Sequence, residues 1–237
     1  MPAAVSSTNA PSAISIITTS TIARWSFTRS SLPTVGDGQV VHLEVVTSTQ
    51  DVARDMPIGS VVIADHQTRG RGRMNRRWEA PPGAALLVSF VLQPNPVLSL
   101  AAGVAAAEAC GPRVRLKWPN DLLLNERKLG GILVEATAHR AICGIGINLA
   151  WAPVGAAKLG EPREAVLGRL RQEMDLWTGA PQDRVLERWR ELSTTLGRRV
   201  RVEVAGETTE GVAQDIGPHG ELIVDGRPFV AGSVTHL

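Results

Sequence analysis

The stretch from residue 114 to residue 149 constrains the fold most, because it contains four apolar runs separated by short polar connections. The runs cover residues 114–118, 122–124, 129–136 and 141–149. The first two connections, Pro119-Asn-Asp121 and Asn125 to Lys128, are rich in residues that favour tight turns. Strands joined by so few residues pair antiparallel with their neighbours. The sequence therefore predicts an antiparallel meander of four strands.

The segments on either side of the meander complete an α+β pattern. Before it, the sequence predicts strands at 40–46, 60–65 and 84–92, a short helix through Val52 and Ala53, and an alanine-rich helix at 98–109. After it, amphipathic helices are predicted at 161–177 and 182–192. Beyond Gly197, glycines separate short predicted strands at 199–204, 208–215, 222–224 and 229–234. The predicted fold is a mixed or antiparallel sheet with flanking helices, followed by a small barrel or SH3-like β domain.

Bulk properties exclude several classes of protein. A net charge of +2 does not by itself require nucleic acid or an anionic membrane as a partner, so any anion must bind to a local patch. No apolar run reaches the roughly 18 residues of a transmembrane helix. Cys110 and Cys143 have neither the number for a disulfide framework nor the spacing of metal ligands. They predict two reduced core residues in a cytoplasmic protein.

The first 36 residues differ in composition from the rest of the chain. They are rich in Ser, Thr and Ala, contain Arg24 and Arg29, and have no acidic residue. An organelle transit peptide has that composition. We expect instead a poorly ordered extension or an over-long start. The predicted organisation is an extension over 1–36, a catalytic domain over 37–195 and a C-terminal β domain over 196–237.

The segment from Gln67 to Trp78 is the first that carries chemistry. It combines several arginines with Gly70 and Gly72 and has no acidic residue, which predicts a loop. Arginine forks bind phosphate and carboxylate oxygens, and glycine lets backbone N–H groups approach an anion. The segment is therefore a candidate phosphate-binding loop, with a solvated basic loop or an RNA-binding segment as the alternatives.

Three further segments lie in or beside the meander. Lys117-Trp-Pro-Asn-Asp121 places a lysine at a strand end, where its ammonium could reach a developing negative charge. In Lys128-Leu-Gly-Gly-Ile-Leu133 a lysine precedes two glycines, against whose backbone a ligand could lie. In Gly144-Ile-Gly-Ile-Asn148 alternate glycines would leave one face of a strand bare, as a slot for a thin ligand. This last segment lacks the third glycine and the helix of a dinucleotide-binding motif.

Taken together and in this order, these segments resemble the biotin–protein ligase family. The resemblance runs from about Val40 to the C-terminus and includes Ser48-Thr49, Gln67, Gly70-Arg-Gly-Arg73 and Trp78 as well as the three segments above. It implies a class II synthetase-like catalytic domain and a two-step reaction. Biotin and MgATP give biotinyl-5′-adenylate, and a lysine of a biotin carboxyl carrier domain then receives the biotin. Gln50 and Asn75 depart from the family pattern, which usually has Asn and Gly at those positions.

The same resemblance implies the roles of individual residues. Lys117, Arg71 and Arg73 would be the catalytic residues. The residues around biotin would be Ser48, Thr49, Gln67, Gly70, Gly131, Gly144 and Gly146. The residues around ATP or the adenylate would be Arg71, Arg73, Trp78, Lys117, Lys128 and Asn148. Magnesium would arrive with ATP near Asp121 or Asn148, without a fixed protein cage.

Three alternatives to this interpretation stay open at the level of sequence. A lipoate or octanoate ligase of the same fold would share the acyl-transfer lysine. A biotin-sensing module without turnover would not need both Lys117 and Lys128. A nucleic-acid-binding protein is disfavoured by the near-neutral charge and by the lack of a helix-turn-helix before the catalytic part. The expected partners are the carrier domains of acyl-CoA carboxylases, not DNA or a membrane, and the expected state is a monomer or a homodimer.

Overall fold

The computed structural model describes residues 38–237, so the extension expected over 1–36 lies outside the described residues. The described residues belong to one compact unit. Its first part contains strands β1 (Val40–Val46), β2 (Val61–Gln67), β3 (Ala85–Leu92), β4 (Val114–Lys117), β5 (Asp121–Leu124), β6 (Arg127–Ala136) and β7 (Ala141–Asn148). Its helices are α1 (Thr49–Ala53), α2 (Leu98–Cys110), α3 (Arg163–Thr178) and α4 (Gln182–Leu192). No helix in the described range is long and apolar enough to cross a membrane.

The seven strands form one sheet in the order β1-β2-β3-β7-β6-β5-β4. Only β1 and β2 pair in parallel, and every other neighbouring pair is antiparallel. The predicted meander is confirmed, because β4, β5, β6 and β7 are consecutive neighbours. One connection is shorter than predicted. Asn125 and Glu126 both have positive φ, as in a two-residue hairpin turn, so Lys128 belongs to β6 and not to a turn.

The helices cover the two faces of the sheet unequally. The alanine-rich α2 is almost wholly buried between the sheet and the helices α3 and α4. Its small side chains let the neighbouring helices approach closely. The five-residue α1 lies on the opposite face, where Ala53 packs with Val62, Val91 and Ile142. This short helix leaves room on that face beside the glycine-containing parts of β6 and β7.

The C-terminal strands form a separate antiparallel sheet with the order β11-β10-β9-β8-β12. These strands are β8 (Arg199–Val204), β9 (Glu207–Ile216), β10 (Leu222–Val224), β11 (Arg227–Phe229) and β12 (Ser233–His236). The single strand predicted at 229–234 was wrong. It is divided into β11 and β12 around Gly232, whose φ of +147° favours glycine. Buried side chains of this sheet, such as Val200 and Leu222, belong to the same apolar cluster as the first part of the chain.

Candidate active site

One cavity of about 500 Å³ lies over the centre of the large sheet and gathers nearly all the residues singled out from sequence. Those that line it are Ser48, Thr49, Gln67, Arg71, Arg73, Trp78, Lys117, Asp121, Lys128, Gly131, Gly144, Gly146 and Asn148. Gly70 is buried beside the cavity and does not line it. Among the lining residues that sequence reasoning did not assign to the site are Gln50, Arg76 and residues 232–235 of the C-terminal sheet.

Ser48, Thr49 and Gln67 make the end of the cavity beside α1 polar. Ser48 is the N-cap of α1, and its Oγ accepts a hydrogen bond from the Gln50 backbone N–H. The Gln67 Oε1 accepts two hydrogen bonds from Thr49, one from the backbone N–H at 2.7 Å and one from Oγ1 at 3.0 Å. Thr49 Oγ1 also lies 2.8 Å from the buried Ser89 Oγ. These bonds orient the Gln67 amide, because its oxygen must face the Thr49 backbone donor.

The alternate glycines of β7 do not leave the open slot that was predicted. The side chain of Gln50 covers Gly144, where an added Cβ would lie 3.0 Å from Gln50 Cδ. The indole of Trp78 covers Gly146, where an added Cβ would lie 2.6 Å from Cε2. Gln50 is held there by a 3.0 Å hydrogen bond from its Nε2 to the Leu133 carbonyl. The glycines therefore make room for the buried side chain of Gln50 and the partly buried side chain of Trp78, which wall the cavity.

The arginine-rich loop is a narrow hairpin and not an open coil. The Trp78 N–H donates to the Gly70 carbonyl at 3.0 Å, and the Gly72 N–H donates to the Arg76 carbonyl at 2.7 Å. A Cβ at Gly70 would lie 2.2 Å from the Trp78 carbonyl oxygen, so this close approach requires glycine. At the tip Asn75 has φ of +58°, a conformation that asparagine tolerates well. The Asn75 that departs from the family glycine is therefore compatible with the turn.

The side chains of Arg71 and Arg73 extend from the hairpin into different environments. Arg71 pairs with Asp51 of α1 at 2.6 Å and with Glu135 of β6 at 3.4 Å. These ion pairs tie the hairpin to the sheet beside the cavity. Arg73 is half-buried, and burial lowers the pKa of its guanidinium. It forms no ion pair with residues 38–237, which leaves its donors available to an anion in the cavity.

The opposite end of the cavity is cationic. Lys117 is half-buried, not freely exposed as its position at a strand end suggested. Burial lowers the pKa of its ammonium, and the positive charges of Lys128, Arg198 and Arg76 lower it further against the opposing effect of Asp121. Lys128 Nζ lies 2.6 Å from Asp121 Oδ1. Around the cavity six Arg and Lys side chains face two carboxylates, those of Glu79 and Asp121, so an anion is favoured.

Asn148 and the C-terminal strand β12 complete the lining. Asn148 is 3% exposed, and its Nδ2 donates to the Ala157 carbonyl at 3.0 Å, so its amide oxygen and its second amide hydrogen are left for a ligand. Gly232, Ser233, Val234 and Thr235 form part of the rim. The glycine-punctuated C-terminal pattern gave no signal for this contribution, because it depends on how the two sheets pack.

Comparison with known proteins agrees with this arrangement. Residues 42–148 match the biotin/lipoate A/B protein ligase family, and residues 195–237 match the biotin protein ligase C-terminal domain. A biotin–[acetyl-CoA-carboxylase] ligase of Mycobacterium tuberculosis is 36% identical over 212 residues, covering 76% of this chain and 79% of the relative.

Solved structures show the same similarity. A biotin protein ligase of Aquifex aeolicus in complex with biotin and ATP is 25% identical, with a TM-score of 0.70 over 84% of this chain and 98% of that one. A Leishmania major biotin protein ligase in complex with biotinyl-5-AMP is 26% identical, with a TM-score of 0.62 over 84% and 98% of the two chains. The resemblance drawn from the sequence motifs is thereby confirmed, and the chain belongs to the biotin protein ligases of the biotin/lipoate A/B protein ligase family.

Proposed function

We propose that this chain is an ATP-dependent ligase that forms biotinyl-5′-AMP and transfers the biotin to a lysine of the biotin carboxyl carrier domain of an acyl-CoA carboxylase. The observation that carries the proposal is the polarity of the cavity over the large sheet. One end presents hydroxyl and amide groups from Thr49 and Gln67, and the other presents the cations of Arg73 and Lys117. Biotin has the matching polarity, with a ureido ring at one end and a carboxylate at the other.

The hydrogen bonds of Gln67 support a ureido ring as the group bound at the polar end. Its Oε1 already accepts from the Thr49 N–H and hydroxyl, so its Nε2 is the part that can face a ligand. An amide NH₂ donates, and a ureido carbonyl oxygen accepts. A fatty acyl chain offers no acceptor, and leaving buried donors unpaired would cost about 1–3 kcal/mol each. The site therefore fits biotin better than octanoate or lipoate.

The cationic end fits the first chemical step. A carboxylate oxygen of biotin attacks the α-phosphorus of ATP, the bond from that phosphorus to the oxygen bridging to the β-phosphate breaks, and pyrophosphate leaves with the electron pair. Negative charge grows on the α-phosphate oxygens as the new bond forms. Lys117 and Arg73 would stabilise that charge in a partly desolvated setting, where each contact is stronger than in water. Arg71 would hold the hairpin over the carboxylate.

The second step needs no covalent intermediate on the enzyme. The amine of the acceptor lysine attacks the acyl carbon of the adenylate, the acyl–phosphate oxygen bond breaks, and AMP leaves. The enzyme contributes positioning of the two reactants. Trp78, Lys128 and Asn148 would bind the nucleotide, and Gly131, Gly144 and Gly146 would border the channel between the two ends.

The residues present fit a magnesium ion that arrives with ATP. Asp121 lies at the cationic end with Oδ1 bound to Lys128, and Asn148 has its amide oxygen available. Magnesium is commonly held by phosphates and water with one or two protein oxygens, and it would supply charge neutralisation of the triphosphate. Within residues 38–237 no three His, Cys, Asp or Glu side chains cluster as a metal cage would require.

The C-terminal strands belong to the rim, so we assign residues 196–237 to acceptor docking and support of the site, and residues 37–195 to catalysis. Ser233 and Thr235 of β12 are among the rim residues that an incoming carrier domain could meet. Cys110 and Cys143 are buried free thiols, which fits a reducing compartment, and we place the enzyme in the cytoplasm.

The test is adenylate formation with competing acids. The purified protein is incubated with MgATP and either biotin, lipoate or octanoate, and both pyrophosphate and the acyl-adenylate are measured. We expect biotin to be preferred by about 10⁴-fold, as in sites that pair polar substrate atoms. An acceptor carrier domain added afterwards should gain biotin on one lysine. Comparable turnover of octanoate would favour a lipoate-type ligase instead.

A further inference from the structure

Trp118, the residue after Lys117, is bound at two points by other parts of the chain. It is 2% exposed. Its backbone N–H donates to Thr195 Oγ1 at 3.0 Å, and its indole Nε1–H donates to the Gly220 carbonyl at 3.0 Å. Thr195 lies in the segment that joins α4 to the C-terminal sheet, and Gly220 lies in the turn between β9 and β10. The backbone beside the catalytic lysine is therefore attached to the C-terminal strands.

The same joining segment covers the outer edge of β4. Leu116 forms an isolated parallel bridge with Ser193, and the Thr194 N–H donates to the Leu116 carbonyl at 2.8 Å. On its inner edge β4 pairs with β5, with Lys117 opposite Asp121. The strand that carries Lys117 is thus fixed on both sides, by the sheet and by the joining segment.

The Lys117 ammonium depends on this backbone for its position. Within residues 38–237 it donates no hydrogen bond to a side chain or carbonyl, and its nearest charged neighbours other than Asp121 are cations that repel it. A charge without a local partner is placed by its backbone and by the packing of its stem. A displacement of about 1 Å in a group that stabilises a transition state can reduce a rate about 10²-fold.

The hydroxyl of Thr195 connects Lys117 with the end of the chain. Thr195 is fully buried, and its Oγ1 lies 3.2 Å from His236 Nε2 of β12. The hydroxyl oxygen accepts from Trp118, so its own hydrogen can go to an unprotonated ring nitrogen. Burial, with the charges of Lys117 and Arg198, lowers the pKa of His236 to about 4, so the ring is neutral near pH 7.

We propose that Thr195 and Trp118 are positioning residues, through which the C-terminal sheet holds Lys117 at the reacting phosphate. The inference rests on the proposed ligase function and adds to it a specific task for the joining segment. Thr195 touches neither substrate, since it does not line the cavity, whereas the 2% exposed Trp118 borders the cavity and acts on Lys117 through the backbone that it anchors. Its effect should therefore fall on turnover and not on the affinity for biotin, whose polar pocket lies on α1 and β2.

The experiment compares Thr195→Val with Thr194→Val in the full-length protein, measuring kcat and KM for biotin from pyrophosphate release. Thr195→Val keeps the shape of the side chain and leaves the Trp118 N–H without its acceptor. Thr194→Val is the matched control, because the Leu116 carbonyl that its hydroxyl reaches keeps the bond from the Thr194 N–H. We expect a loss in kcat of about 10-fold to 100-fold for Thr195→Val, with KM for biotin changed less than about 2-fold.

A variant that restores the hydroxyl distinguishes a positioning role of Thr195 from general damage to the fold. Thr195→Ser restores the hydroxyl and should recover kcat to within about 3-fold of the wild type, while Thr194→Val should match the wild type. Should Thr195→Val fail to fold, Trp118→Phe decides, because it removes the indole N–H that donates to the Gly220 carbonyl, together with one ring of the side chain, and it should lower kcat with an unchanged KM. Wild-type kcat in a folded Thr195→Val, or in Trp118→Phe if that variant must decide, would overturn the inference. Failure of the wild type itself to form biotinyl-adenylate would refute the proposed function instead.

Discussion

Replacing Lys117 with methionine should separate catalysis from stability. Methionine keeps an unbranched apolar stem of nearly the same length and removes the ammonium group. If Lys117 stabilises the developing charge on the α-phosphate, its loss should raise the barrier by roughly 3 kcal/mol, which is about a 10²-fold slower adenylation. Binding of biotin at the polar end should change little, because Gln67 and Thr49 lie on β2 and α1.

The stability of the same variant follows from the pKa of Lys117. A lowered lysine pKa means that the folded protein disfavours the charged form relative to the unfolded chain. A neutral side chain of similar volume removes that penalty, so the free energy of unfolding should stay unchanged or rise by up to about 1 kcal/mol. Urea denaturation at pH 7, followed by tryptophan fluorescence, measures it.

The chain offers a matched control for this substitution. It has only three lysines among its 25 Lys and Arg residues, and Lys117 and Lys128 line the cavity. The third, Lys158, is exposed and bonds only to the Ala150 carbonyl, so Lys158→Met should keep wild-type kinetics and stability. Wild-type pyrophosphate release by Lys117→Met would refute the catalytic assignment. A clear fall in its stability would refute the argument from the pKa.

Three further outcomes are expected. Gly146→Ala forces a methyl group into the indole of Trp78 and should destabilise the fold by about 1–3 kcal/mol in thermal denaturation, with weaker biotin binding. Asp51→Asn removes one ion-pair partner of Arg71, which should lower the free energy of opening the unliganded hairpin by about 1 kcal/mol. Trypsin should therefore cut the unliganded hairpin about 5-fold faster, and biotin with ATP should suppress the cutting. His236 has a folded pKa of about 4, below its ordinary 6.5, so the unfolded chain binds more protons between these values. The free energy of unfolding should therefore fall by about 1 kcal/mol as the pH is lowered from 6.5 to about 4, and it should fall by less in His236→Gln.

The sequence predicted the large elements well because their signals are local. Strand β3 is a continuous apolar run, and α4 has clear helical spacing, and both were found within one residue. The short turns fixed the order of the meander, since connections of two to four residues join neighbouring strands. The last strand of the chain was wrong because its break depends on one glycine with positive φ, which composition does not distinguish from glycines inside strands such as Gly144.

Most of the residues chosen from the sequence line one cavity, but their hydrogen-bond and packing partners could not be predicted. Gln67 could be chosen from its place beside the arginine segment, whereas the direction of its amide is set by Thr49, 18 residues earlier. The bare strand face expected from alternate glycines was a local argument, and it failed because Gln50 and Trp78 arrive from other elements to fill it. Periodicity describes one segment at a time, so it cannot show which side chain occupies the space that a glycine leaves.

The position of Lys117 shows where such local reasoning ends. Its strand and turn were predicted from the motif, and a lysine at a strand end was expected to be freely accessible. The structure places Lys117 half-buried, because Ser193, Thr194 and Thr195 return to cover the edge of β4 and to bind Trp118. Burial gives the ammonium its lowered pKa and removes water that would compete for the phosphate. The catalytic role proposed for the lysine therefore depends on the joined sheets, and the motif supplies only the group that they hold.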